Sequence, residues 1–180
     1  MKQPARWSFI FTAVVTLAII VLLRWQGASL TQPATPSGIL SLEFANTPDK
    51  LVPVFQSWIG SSVANINICI DFLFIAAYTS FFLLAIEKAS RQWQSGLAIQ
   101  TRNTLCWLAL LAAILDIIEN LLMLQTLNNH YNNHSLQVTW YCAFIKFSIV
   151  LVMIAYLLIS VLIVLFRKKK IHGKKSLENT

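Results

Sequence analysis

An apolar run from Thr104 to Leu124 carries the stretch Leu115-Asp116-Ile117-Ile118-Glu119-Asn120 in its second half. A helix needs about 20 apolar residues to cross a bilayer, so the run is long enough to span one. Helical spacing puts Asp116, Glu119 and Asn120 at i, i+3 and i+4, on one face. An ionised side chain in the middle of a span costs roughly 2.5–3.5 kcal/mol even on lenient insertion scales. That face therefore has to be covered by other protein, and the covering helices have to bring polar groups to the same depth.

Three further runs can supply them. The first is Ser8–Leu23, framed by Trp7 and Trp25 and by Arg6 and Arg24. Such tryptophans and snorkelling arginines mark the two ends of a span. The second is Ala64–Ile86, which contains Asn67 and Asp71, and the last is Trp140–Phe166, which contains Lys146. Only 12% of residues are charged, about half the share in soluble domains. Mean hydropathy is +0.64. The expected fold is all-α, an integral membrane four-helix bundle forming one domain, with spans at about 7–25, 64–86, 104–124 and 140–166. A cleaved signal peptide is the rival reading of the first run, since Lys2 and Arg6 precede it and Gly27-Ala28-Ser29 follow. The run is long for that role, and Arg24-Trp25 is a poor approach to a cleavage site, which favours an uncleaved anchor. Pro33, Pro36, Gly38 and Pro48 break up the link to the second span. Within and after it, Ile39–Ala45 and Leu51–Ile59 read as short amphipathic segments lying on the outer membrane surface, with Trp58 as an interfacial anchor.

The basic residues orient the bundle. Lys2, Arg6, Lys88, Arg91, Arg102, Arg167, Lys168, Lys169, Lys170, Lys174 and Lys175 are eleven of the 14, and all would fall on one side. Arg24 and Lys50 fall on the other, and Lys146 lies within a span. The positive-inside rule then places both termini in the cytoplasm. Residues 167–180 form a basic cytoplasmic tail, expected to be mobile and suited to anionic lipid. The net charge of +7 thus follows from topology and needs no nucleic acid to explain it.

With that topology, Asp71 and Lys146 lie early in spans that start outside, and Asp116, Glu119 and Asn120 lie late in a span that ends outside. All of them share a level in the outer half of the bilayer. Asn67, Asp71, Phe74 and Tyr78 share a stripe, as do Cys142, Lys146, Val150 and Met153. Ala109, Ala112 and Ala113 lie with Asp116 and allow close helix approach. The first span offers only Ser8, Thr12 and Thr16 as a weak polar stripe. The expected cluster is Asn67, Asp71, Tyr78, Asp116, Glu119, Asn120 and Lys146, with Glu43 a candidate to reach it from above as a lid. Three acids against one ammonium leave two negative charges if all are ionised, so an acid keeps its proton or the site is hydrated or binds a cation. Four readings follow: a network that fixes helix packing, a small-molecule or lipid site, an enzyme at the outer leaflet, or a component of proton-coupled transport. As an enzyme, the candidate catalytic residues are Asp71, Asp116 and Glu119 as acid or base and Lys146 as stabiliser of negative charge.

Other chemistry finds little support. His130 and His134 have the spacing of half a zinc site, but four asparagines surround them and no further ligand is near. Cys69, Cys106 and Cys142 read as small apolar fillers, with a Cys69–Cys142 disulfide as the alternative. No phosphate loop, dinucleotide fingerprint, nucleophile triad or metal signature is present, so no metal or cofactor is expected. The stretches Leu40-Ser41-Leu42-Glu43-Phe44-Ala45, Ile70-Asp71-Phe72-Leu73-Phe74 with Tyr78, and Leu115 to Asn120 resemble small four-span bacterial membrane proteins of no assigned role. That resemblance covers most of the chain after the first span. It implies a multi-pass location in the cell inner membrane, with lipid as the surrounding partner, and implies no particular activity.

Overall fold

The computed structural model describes the backbone of residues 4–91 and 96–177, and the side chains of 7–91 and 99–164. Among the described residues six α-helices follow in order: α1 (Pro4–Gln26), α2 (Leu40–Glu43), α3 (Pro48–Ser57), α4 (Val63–Ser90), α5 (Gly96–Leu127) and α6 (Asn133–Leu177). A 3₁₀ turn, Gly27–Leu30, continues α1. Four of these helices, α1, α4, α5 and α6, are long and apolar enough to cross a membrane, and there is no strand among the described residues.

The long helices pack in chain order: α1 on α4, α4 on α5, and α5 on α6, with a lighter contact of α4 on α6. Close approach comes from Ala109, Ala112 and Ala113, all buried where α5 meets its neighbours, as small residues permit in lipid. α1 is different. More than half of its described side chains are exposed, and Trp7 and Trp25 at its ends are 70% and 77% exposed. The hydroxyls of Thr12 and Thr16 bond back to Phe9 and Thr12 carbonyls of their own helix, so these two hydroxyls are spent within α1. α1 is held at its two ends. At one, Phe9 stacks on Phe81 and lies under the Lys88 ammonium, 4.3 Å from the ring centre. At the other, Asn67 Nδ2 donates to Leu23 O and to Gln26 Oε1, and Gln26 Nε2 donates to Val63 O.

The segment between α1 and α4 folds over one end of the bundle as a cap. Gly38 adopts φ 59°, a left-handed turn that glycine takes without strain and that feeds the chain into α2. Leu30, Leu42, Leu51, Val54 and Trp58 are buried with Ala64, Ile68, Met123 and Leu136. Trp58 is 6% exposed, and its indole Nε1 donates to Leu30 O at 3.0 Å. The expectation that Trp58 anchors a surface-lying helix is therefore corrected. The apolar face of α3 has the ends of α4, α5 and α6 to cover it, and protein rather than lipid takes that face.

Two other expectations change. The basic run does not end α6: its backbone stays helical to Leu177, since Lys and Arg are good helix formers and cations suit a helix C-terminus. The Asn-rich link is shorter than the sequence reading. Asn132 caps α6 reciprocally: its Oδ1 accepts from Ser135 N–H and its own N–H donates to Ser135 Oγ, so His134 already lies in the first turn.

Candidate functional site

The polar residues form a layer between two apolar clusters. On the cap side lies the cluster just described. On the other side Ile75, Phe82, Ile86, Leu105, Ala109, Ala112, Ile149 and Met153 pack together. Each long helix other than α1 supplies the layer from the position where its two apolar stretches meet.

Lys146 is the centre. It is buried, and its Nζ donates to Asp116 Oδ1 at 2.6 Å and to Glu119 Oε1 at 3.0 Å. Glu43 Oε2, from α2, lies 3.7 Å from the same nitrogen. The ammonium thus faces three carboxyls, matching its three donors in number. Asp116 is held on its other oxygen by the Tyr78 hydroxyl at 2.9 Å. Asn120 Nδ2 donates to Asp71 Oδ2 at 2.7 Å, which ties α5 to α4 beside the lysine. The spacing of Asp116, Glu119 and Asn120 along α5 is what lets one helix face address α4 and α6 together.

Glu43 reaches the layer from the cap, as a side chain above the bundle can. Its carboxyl and that of Glu119 lie within hydrogen-bonding reach of each other. One oxygen of each, Oε2, is buried with no donor. Burial pushes the Glu43 pKa up, outweighing the Lys146 ammonium that pulls it down. One proton held between the two carboxyls turns a repulsion between two carboxylates into a hydrogen bond. Asn67 stands apart, one helical turn from Asp71 and engaged with α1. Seven of the eight expected residues thus meet, and the eighth holds the neighbouring helix.

Beside this layer opens a cavity of about 1000 Å³. Asp71, Tyr78, Asp116, Lys146 and Glu43 line its polar part. Its apolar wall comes from α1 (Ala13, Leu17, Ile20), α4 (Phe74, Phe81) and α6 (Val150, Ile154, Leu158, Val161). Leu17 and Leu158, on its two sides, are 62% and 60% exposed. The cavity is therefore a cleft that opens sideways between α1 and α6, at the depth of the apolar helix surfaces. Arg24, Thr31 and Gly38 line it towards the cap. The apolar wall and Arg24 escape a reading that looks for polar residues in spans. The weakness of the α1 polar stripe was the available signal that this helix does not close the bundle.

The remaining candidates do not join the site. His130 and His134 are exposed, and no group of metal-ligating side chains occurs among the described residues. Cys69, Cys106 and Cys142 are free thiols, so the disulfide alternative is not realised. Comparison with family models, with curated proteins and with solved structures finds no match.

Proposed function

We propose that this multi-pass membrane protein binds a lipid-like amphiphile in the cleft between α1 and α6, with the ligand chain against the apolar wall and its polar end at the Lys146 layer. The observation that carries the reading is the shape and chemistry of one cavity: about 1000 Å³, within the range of ligand pockets, apolar along its length and polar at one end. A network kept only for packing needs no such space beside it. The exposed apolar residues at both edges leave a route from the bilayer that crosses no polar surface. Basic-residue asymmetry supports cytoplasmic termini, which sets the polar layer in the outer half of the membrane. The resemblance to small bacterial four-span proteins supports an inner-membrane location.

The test is photolabelling in native membranes with a lipid carrying a diazirine on its acyl chain. Saturable labelling is expected at Ile154, Leu158 and Leu17, and competition by unlabelled lipid extract should reduce it. Ile114 and Leu121 on α5, exposed away from the cleft, should label without saturating. Equal, unsaturable labelling of both faces would refute the reading.

A further inference from the structure

We infer that the polar end of the ligand in this cleft is an ammonium group, so that the class bound is a long-chain amine amphiphile held by Asp71. The inference rests on the binding reading above and names its head-group chemistry. It begins from what the chain cannot provide. An alkyl chain leaving lipid for the cleft gains little, because lipid tails are as apolar as leucine. Selection within a membrane therefore falls to the head group.

The protein groups around the polar end are largely engaged as donors. Lys146 is directed at Asp116 and Glu119 and faces Glu43. The Tyr78 hydroxyl donates to Asp116, and the Asn67 amide donates to α1. Acceptors are what remain. Asp71 lines the cleft and takes one hydrogen bond, on Oδ2, from Asn120; no donor among the described residues reaches its Oδ1. Glu43 lines the same cleft but is buried, its Oε2 turned to Lys146. Asp71 Oδ1 is therefore the oxygen on the cleft wall with room for a donor.

Charge points the same way. With one proton held between Glu43 and Glu119, the negative charges of Glu43, Asp71, Asp116 and Glu119 still outnumber Lys146 by two. Uncompensated charge next to lipid is costly. An ammonium brings one positive charge and three donors, which answers both deficits. A carboxylate or phosphate head would add charge of the wrong sign; Arg24 is the cation on the cleft wall not paired in the layer, and it lies towards the cap.

The experiment measures equilibrium binding of dodecylamine, dodecanol and dodecanoate to the full-length protein in neutral-lipid nanodiscs, corrected for uptake by empty discs. The amine should bind at least about tenfold more tightly than the alcohol, as a charge-assisted hydrogen bond supplies, and dodecanoate should bind most weakly. Asp71→Asn should bring the amine down to the alcohol and leave the alcohol unchanged. Equal binding of amine and alcohol, or preference for dodecanoate, by the unaltered protein would overturn the ammonium assignment while leaving an amphiphile site. That comparison needs no variant, so it stands even where Asp71→Asn fails to fold. Binding of none of the three above empty discs would overturn the amphiphile reading itself.

Discussion

Replacing Lys146 with methionine removes the one cation of the buried layer while keeping most of its volume. The lysine donates to Asp116 at 2.6 Å and Glu119 at 3.0 Å, and Glu43 lies 3.7 Å away. Breaking a buried pair by removing one partner costs about 3–5 kcal/mol, because the other charge stays buried without compensation. Here the consequences for the two nearest acids differ. Asp116 keeps the Tyr78 hydroxyl on its second oxygen, whereas Glu119, fully buried, keeps only another acid, Glu43, beside it. Lys146→Met with Glu119→Gln should therefore recover more stability than Lys146→Met with Asp116→Asn. The assay is the apparent Tm in mild detergent, followed by loss of the monodisperse peak in size-exclusion chromatography. The three single variants complete the cycles. If both double variants equal the sums of their singles, the groups are uncoupled and the layer is misassigned.

Other expectations are as direct. A Cβ on Gly27 would lie 2.8 Å from Asn67 Nδ2, so Gly27→Ala should displace that amide, loosen the cap end of α1, and raise the exchange rate of its backbone amides around Leu23. Because burial raises the Glu43 pKa, the folded protein keeps a proton that the unfolded chain releases above about pH 4.5. Stability should consequently fall as pH rises from that point through the higher folded value, and Glu43→Gln should flatten this slope in detergent melts. Reporter fusions after Arg91 and after Thr180 should report cytoplasm and one after His130 the outside; a cytoplasmic signal at His130 would invert the topology.

Much of the layer was legible because burying charge is costly. Acids at i and i+3 in an apolar run demand a shared face, and Lys146 and Asp71 at the matching depth leave few ways to satisfy it. The structure pairs them accordingly. The cap and the cleft were less legible for one physical reason. Hydropathy measures how a side chain avoids water, and a residue facing lipid scores the same as one facing protein. Trp58 satisfies the pattern of an interfacial anchor and of a core residue equally well; only the meeting of α3 with Met123 and Leu136, distant in sequence, decides between them. The outward-facing α1 presents the same ambiguity. Within Ser8–Leu23 only the weakness of the polar stripe separates a helix sealed into the bundle from one that stands off α6.

The central claim is that the space between α1 and α6 is an amphiphile site ending at the Lys146 layer. A crystal structure of the protein grown from a lipidic mesophase tests it most directly. The account predicts a continuous elongated density in the cleft, running along Leu17, Phe81 and Leu158 and ending within hydrogen-bonding distance of Asp71. α1 packed closed against α6, with a dry, filled interior and every polar atom of the layer matched by protein, would contradict it.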